Sequence, residues 1–197
     1  MLVEIEIVKP AIYLYPTKTT EITVLHDFKG EIGTTFPDYN DGWQVTAKPN
    51  GELRNKKDNR KYEYLFWDGT YAFPKEHYDF KSGFVVNSKD NVAFLLDKLT
   101  YIGLNEKETN DFMVYWLPML NQTPINFIHF RINDNIDNSS VLKVSPEPDS
   151  WIRLFMEFKP VDTSFSIPEQ QLKTYPRQGF TLVEWGGGKI EQNFNFQ

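Results

Sequence analysis

Residues 64–69 read Tyr-Leu-Phe-Trp-Asp-Gly, three aromatic residues and a leucine that run directly into an Asp-Gly pair. Side chains alternate between the two faces of a β-strand, so Tyr64 and Phe66 share one face while Leu65 and Trp67 share the other. Both faces are therefore apolar, which is typical of an interior strand that is covered on both sides. Asp-Gly is a common turn pair, and we expect the strand to end there.

The rest of the amino-terminal part also has the pattern of β-strands. Val3, Ile5 and Ile7 alternate with glutamates, and prolines separate the apolar runs that follow. The tripeptide Pro-Asn-Gly at 49–51 predicts a tight hairpin turn, because Asn and Gly tolerate positive φ. The basic stretch 54–61 lies between two strand-like segments, and we interpret it as the solvated loop of a hairpin.

The apolar period changes from two to about 3.6 in the middle of the chain, which predicts a helical hairpin at about 88–120. Gly103 suits the end of the first helix, and Asn105 with Glu108 three residues later has the spacing of a capping box at the start of the second. The predicted inward faces are Val92, Leu95, Leu96 and Leu99 in the first helix and Phe112, Tyr115, Trp116 and Met119 in the second.

Strand patterns return towards the carboxyl end of the chain. Residues 125–132 and 151–159 alternate between apolar and polar side chains over their length. Three glycines at 186–188 separate two further apolar runs, at 180–185 and 189–194. Because glycine is the usual residue of tight turns, we expect these two runs to form a terminal hairpin with the glycines as its turn.

These patterns together predict an α+β fold, with mostly antiparallel, sandwich-like β-sheets and one helical hairpin packed against them. We expect a single domain over residues 1–197, because no segment has the composition of a linker. Within it, an all-β sub-lobe at 1–86 and a sub-lobe at 87–197 with the helical hairpin and further strands are possible divisions.

Composition excludes several classes of function. The chain has 197 residues, no cysteine and a formal net charge of −6, so disulfides, cysteine-ligated zinc and thiolate catalysis are excluded and a nucleic-acid partner is not expected. We find no signal-peptide pattern and no apolar run of about 18 residues, so we expect no membrane insertion. The location is then cytoplasmic by default, unless this chain is a mature or excised form. The three histidines lie far apart, and we expect no metal site and no cofactor.

Five segments of the chain are distinctive: KPAIYLYP at 9–16, YLFWDG at 64–69, DFMVYWLP at 111–118, FMEFKP at 155–160 and GFTLVEWGG at 179–187. Together they resemble an uncharacterised protein family found largely in bacteria. The resemblance covers nearly the whole chain, which implies a single structural unit. That family has no established activity, so the resemblance implies no catalytic residue.

The turn-adjacent tryptophans are the candidate ligand-binding residues. Trp43, Trp67 and Trp185 each lie beside a glycine or an Asp-Gly pair, and Asp68 follows the second of them. Indole rings at strand ends can stack on sugars or clamp peptides, while a neighbouring carboxylate supplies directed hydrogen bonds. We therefore expect a non-enzymatic binding module with an aromatic-lined site for a protein or carbohydrate. The alternative is that these indoles fill the core.

A hydrolase is the second hypothesis. His129 and Arg131 share one face of a predicted strand, as do Arg153 and Glu157 of another. If those faces coincide near Glu184, the cluster could perform acid–base chemistry. The alternative is a solvent-exposed sheet face with cross-strand ion pairs, which requires no catalysis.

A structural component of a larger assembly is the third hypothesis. Its signs would be a large exposed apolar patch or an open edge strand, since both invite contact with another chain.

Overall fold

A computed structural model describes residues 2–137 and 139–191 of the chain. Strands dominate it, and they are joined by three helices and by two short 3-10 turns at Lys75–Tyr78 and Ser88–Asp90. The strands and helices are, in chain order, β1 (Leu2–Tyr15), β2 (Thr20–Phe28), β3 (Glu31–Phe36), β4 (Trp43–Ala47), β5 (Leu53–Asn55), β6 (Lys61–Tyr62), β7 (Leu65–Pro74), β8 (Phe84–Asn87), α1 (Asn91–Ile102), α2 (Glu106–Leu120), β9 (Ile125–Ile132), α3 (Asp134–Asp137), β10 (Ser140–Ser145), β11 (Ser150–Pro160) and β12 (Thr181–Lys189).

Two sheets organise these strands. The larger sheet has seven strands in the order β3-β7-β1-β12-β11-β9-β8, and the smaller has five in the order β10-β2-β4-β5-β6. Neighbouring strands are antiparallel except β11 and β12, which run parallel. The basic stretch 54–61 connects β5 to β6 as a hairpin, as expected.

The two sheets and the helical hairpin form three layers. Leu99 of α1 and Trp116 of α2 pack with Leu154 and other residues on one face of the larger sheet. The opposite face packs on the smaller sheet, where Trp43 and Trp67 share one apolar cluster. The α+β, mostly antiparallel and sandwich-like fold is therefore confirmed, because each apolar face is covered by another layer.

β7 confirms the interior strand but not the turn at its end. The strand lies between β3 and β1 and continues through Asp68 and Gly69 as far as Pro74. Asp68 Oδ1 accepts a hydrogen bond of 2.5 Å from the backbone N–H of Thr34, beside the register shift in β3. A side chain at Gly69 would overlap the carbonyl oxygen of Glu31. The Asp-Gly pair therefore allows β3 to approach closely instead of reversing the chain.

β12 corrects the predicted terminal hairpin. The strand runs continuously through all three glycines, from Thr181 to Lys189, between β1 and β11. A Cβ on Gly187 would overlap the carbonyl oxygen of Met156, and a Cβ on Gly188 would lie 2.6 Å from that of Glu6. The glycines are needed for close packing and not for a turn. Residues 192–194 of the expected second strand lie outside the described residues.

The helical hairpin is confirmed, with one change to its buried face. Asn105 and Glu108 form the capping box at the start of α2, and Gly103 ends α1 with φ +123°. In α1, however, Val92 and Leu96 are exposed, because the buried stripe is shifted by one position around the helix. The buried residues of α1 are Asn91, Leu95, Leu99 and Ile102.

Residues 161–180 return from β11 to β12 without regular secondary structure, apart from one bridge to Gly83. This return segment is fixed to the rest of the molecule by hydrogen bonds. The backbone N–H of Tyr175 donates to the carbonyl of Ile102 (2.9 Å), and the guanidinium of Arg177 pairs with the buried carboxylate of Glu108. The return segment therefore has a defined course along the helical hairpin and the β8 side of the larger sheet.

Candidate functional site

The three tryptophans expected to bind a ligand are core residues. Trp43 is 1% exposed, and Trp67 and Trp185 are completely buried. Each indole N–H donates a hydrogen bond inside the protein: Trp43 to the carbonyl of Pro37 (2.8 Å), Trp67 to Glu184 Oε1 (2.9 Å) and Trp185 to the hydroxyl of Tyr13 (3.2 Å). The indoles therefore do not form the aromatic surface that the sequence suggested. Their neighbouring glycines had indicated turns, but the glycines beside Trp67 and Trp185 lie within strands.

Asp68 lies apart from any indole surface. Its half-buried carboxylate binds the N–H of Thr34 and lines a shallow depression with Glu6 and Glu31. Its role in the structure is to hold β3 against β7.

Glu184 belongs to a buried ion pair that joins the two sheets. Its Oε2 lies 2.7 Å from Nε of Arg153, and both side chains are almost entirely inaccessible, at 0% and 3% exposure. The guanidinium of Arg153 also donates to the carbonyl oxygen (2.6 Å) and the hydroxyl (2.9 Å) of Ser140 at the start of β10. All of these contacts satisfy buried polar groups, as a structural role requires.

Glu157 belongs to a separate cluster with Arg131 and His77. Its carboxylate oxygens lie 2.8 Å from Nε of Arg131 and 2.5 Å from Nε2 of His77. Burial alone would raise the pKa of Glu157, but the hydrogen bond from His77 and the charge of Arg131 outweigh it, and the pKa is lowered. A carboxylate held in its charged form by two partners is a poor general base.

His129 lies opposite Glu157 in the β9–β11 ladder, but within the described residues its ring makes no hydrogen bond to that carboxylate. Its Nδ1 lies 3.0 Å from the carbonyl oxygen of Ser82, which fixes Nδ1 as the protonated nitrogen. Burial, aided by the charge of Arg131, lowers the pKa of His129 to about 4. The four predicted catalytic residues thus divide into two clusters, with Glu184 in one and the others in or beside the second.

A groove that the sequence did not reveal lies at the free edge of β8. It has a volume of about 700 Å³ between α1 on one side and residues 164–167 of the return segment on the other. β8 is the last strand of the larger sheet, so one side of its backbone faces this groove. This groove is the candidate functional site.

The hydrogen-bonding direction of β8 follows from its neighbours. Gly83 donates its N–H away from β9, to the carbonyl of Pro168 (3.0 Å), whereas Ser88 donates towards it, to the carbonyl of Pro124 (2.8 Å). Backbone groups alternate in direction along an antiparallel strand. The N–H and C=O of Val85 and the N–H of Asn87 therefore point into the groove. Among residues 2–137 and 139–191, no hydrogen bond to these three groups is found.

Apolar side chains flank these backbone groups on both faces of the strand. Phe84 and Val86 point towards α1, where the ring of Phe94 lies 5.1 Å from that of Phe84. Val85 points to the other face and packs in a cluster that includes Phe165 and Ile167 of the return segment. The groove therefore combines unpaired backbone groups with an aromatic and aliphatic lining.

One cation lines the groove within the described part of the chain. Nζ of Lys98 lies 5.4 Å from the ring centre of Phe84 and 5.9 Å from that of Phe94. Asp90 and Glu169 are the carboxylates of the lining. The lining also includes the polar residues Asn87, Ser164 and Ser166, so the charged groups lie in a groove of mixed polar and apolar character.

Metal binding and membrane spanning by a helix have no supporting feature in the described residues. They contain no group of three His, Asp or Glu side chains placed to hold a metal ion. None of the helices they form has the length and apolar character needed to cross a membrane.

The chain resembles an uncharacterised bacterial protein, described as "Uncharacterized protein in bglA 3'region" from Butyrivibrio fibrisolvens. The two are 41% identical over 64 residues, which cover 31% of this chain and 65% of that protein. No protein-family model and no solved structure matches the chain.

Proposed function

We propose that this protein is a non-enzymatic interaction module that binds an extended peptide segment of another protein at the open edge of β8. In this mode of binding the peptide adds a strand to the sheet through main-chain hydrogen bonds. The observation that carries the proposal is the set of three backbone groups of Val85 and Asn87 that face the groove without a partner in the described residues.

The surroundings of β8 support a peptide over a small polar ligand. The available donors and acceptor are spaced as in a strand, and a second strand is the ligand that matches that spacing. The apolar lining of Phe84, Phe94 and Ile167 would bury peptide side chains on both faces. The length of the open stretch, within the four residues Phe84–Asn87, suits a short recognition segment.

The hydrolase alternative receives less support from the geometry. Glu157 and Glu184 are each paired with an arginine, and His129 is turned towards a backbone carbonyl. None of these groups is left free to activate a water molecule at a shared point. The assembly alternative would use the same open edge, with a second copy of the chain as the added strand.

The test begins with a random heptapeptide library displayed on phage and selected on the immobilised protein. Affinity of the enriched peptides is then measured for the natural sequence and for Val85→Pro, which removes the N–H that faces the groove. Proline is compatible with an edge strand when its missing N–H faces outward. Val85→Thr is the matched control, since it retains the N–H and a β-branched side chain.

We expect Val85→Pro to weaken peptide binding at least about tenfold, equivalent to about 1.4 kcal/mol, and Val85→Thr to bind nearly as well as the natural protein. Failure to enrich any peptide, or equal binding by the proline variant, would overturn the proposal. Self-association in sedimentation experiments that Val85→Pro abolishes would favour the assembly alternative instead.

A further inference from the structure

Resting on the proposed function, we infer that the groove selects a peptide with an apolar residue opposite Val85 and an acidic residue opposite Phe84. This inference specifies the chemistry of the partner: an extended segment in which a carboxylate side chain is adjacent in sequence to an aliphatic one. The argument uses the direction of the β8 side chains and the position of Lys98.

Cross-strand pairs determine which side of the groove each peptide residue meets. Residues directly opposite each other on neighbouring strands point to the same face of the sheet. A peptide residue opposite Val85 therefore points towards the cluster with Phe165 and Ile167, and an aliphatic side chain fits there. Its neighbour opposite Phe84 points towards α1.

Lys98 determines the charge that fits opposite Phe84. Its ammonium group stands over the rings of Phe84 and Phe94, on the α1 side of the groove. Its ion-pair partner among the described residues is the adjacent Asp97, at 3.0 Å, and the side chain of that aspartate is 70% exposed. An ion pair whose carboxylate is exposed to solvent is weak, so a peptide carboxylate can compete for the ammonium group.

The other end of the open stretch has the opposite charge. Asp90 lines the groove three residues beyond Asn87, at the end of the 3-10 turn that leads into α1. A peptide residue opposite Val86 points towards α1 at this end, and a basic side chain fits there better than an acidic one. On the α1 side, the groove therefore distinguishes the two ends of a bound segment by charge. The other carboxylate of the lining, Glu169, belongs to the return segment, which bridges to Gly83 on the far side of the strand edge.

The order of the charged residues in a bound peptide indicates whether the peptide runs antiparallel or parallel to β8. A strand antiparallel to β8 presents them as basic, apolar, acidic, and a parallel strand presents them as acidic, apolar, basic. Two acetylated and amidated heptapeptides serve as probes: Thr-Thr-Lys-Val-Glu-Thr-Thr for the antiparallel case and Thr-Thr-Glu-Val-Lys-Thr-Thr for the parallel case. Each has an analogue in which Gln replaces Glu.

The experiment is a nuclear magnetic resonance titration of the full chain that follows the amide signals of Val85 and Asn87. We expect one probe to bind about two- to fivefold more tightly than its Gln analogue, and Lys98→Gln to abolish that difference. Lys89→Gln is the matched control, because Lys89 is exposed, lies close in sequence and is not part of the groove lining.

The two proposals fail in distinguishable ways. Equal affinity of the Glu and Gln peptides, with shifts of both amide signals, would overturn the charge selection and leave peptide binding intact. The same loss of preference in Lys89→Gln and Lys98→Gln would also overturn it, since the effect would then be one of net charge. Amide signals that the enriched library peptides perturb but neither probe does would overturn the charge selection alone, and signals that neither the library peptides nor the probes perturb would overturn both proposals.

Discussion

The outer edge of the larger sheet is closed along one stretch and open along the next. At the closed stretch, the side-chain amide of Gln170 accepts from the N–H of Phe130 (2.9 Å) and donates to its C=O (2.7 Å), and Pro168 binds the N–H of Gly83. At the open stretch, the groups of Val85 and Asn87 face the groove. The return segment thus covers the edge only as far as Gly83.

The open stretch is where the proposed partner would pair with the sheet. Unpaired edge strands invite association, and proteins usually cover or shorten them. The return segment covers Phe130 with a side chain, and its residues 164–167 also lie close to β8, where they form the far wall of the groove. Distance alone therefore does not explain why the return segment leaves β8 uncovered. The open stretch and the closed stretch therefore differ in their hydrogen bonding, and each can be tested separately.

The largest effect is expected from proline substitutions at two adjacent positions of β8 whose N–H groups point in opposite directions. Val86→Pro removes a ladder hydrogen bond to β9 and leaves its acceptor unsatisfied, which alone costs about 1–3 kcal/mol of the free energy of unfolding. Val85→Pro removes only the outward N–H and is expected to cost less than about 1 kcal/mol. Urea unfolding followed by tryptophan fluorescence measures both, and equal losses would contradict the assigned direction of the backbone groups.

Acid is expected to weaken the closed stretch. His129 lies beside Gln170, and its pKa is lowered from 6.5 to about 4, chiefly by burial. Between these two values the unfolded chain binds more protons than the folded one, so the free energy of unfolding decreases as the pH falls from 6.5 to 4. The expected loss is about 3 kcal/mol for one such histidine.

His26 is expected to contribute a similar loss, since burial lowers its pKa to about 4 as well. His129→Gln should therefore reduce the slope of stability against pH by about half, measured as the urea midpoint at several pH values. Glu157, whose pKa is lowered, adds its own loss only below its ordinary value of 4.5. An unchanged slope in His129→Gln would show that His129 does not titrate differently on folding.

Removal of the side chain that closes the edge has an intermediate effect. Gln170→Ala leaves the N–H and C=O of Phe130 without the amide partner, at an expected cost of about 1–3 kcal/mol. Gln171→Ala is the matched control, because the neighbouring Gln171 side chain is exposed. Thermal unfolding compares the two, and equal stability would mean that solvent replaces the amide at no cost.

The smallest effect requires no substitution. Amide hydrogen exchange should be slower at Gly83, whose N–H is bonded to Pro168, than at Val85 and Asn87, by at least about tenfold after correction for sequence. Mass spectrometry or nuclear magnetic resonance resolves these amides. Slow exchange at Val85 in the monomer would show that the edge is covered after all.

Local signals in the sequence predict the local parts of this fold. The capping box of Asn105 and Glu108 and the left-handed Gly103 depend on residues only a few positions apart, so the helical hairpin follows from the chain alone. The pairing of β11 with β12 is parallel and depends on the course of residues 161–180, for which the sequence has no comparable signal. The α+β class was therefore predictable, but the strand order was not.

The candidate site was hidden because it is a property of topology. Val85 becomes an edge residue only because β8 is the last strand of its sheet. Lys98 and Phe94 have no distinguishing signal within their helix, and their place in the groove follows only from their distances to Phe84. The sequence instead suggested the tryptophans as ligand-binding residues, because glycines beside them indicated turns at the protein surface. In this fold those glycines serve close packing around buried rings.

The glycines of β12 have a consequence for how variation in this chain should be interpreted. Gly186 lies against Pro10, and its two successors lie against the backbone of the flanking strands, so any side chain at these positions meets an occupied volume. A saturation mutagenesis experiment should find two successive positions, Gly187 and Gly188, at which even alanine is rejected, next to a tightly packed position at Gly186. Such a block would look like the signature of an active site, although its cause is steric exclusion, and its loss would be measured as failure to accumulate folded protein.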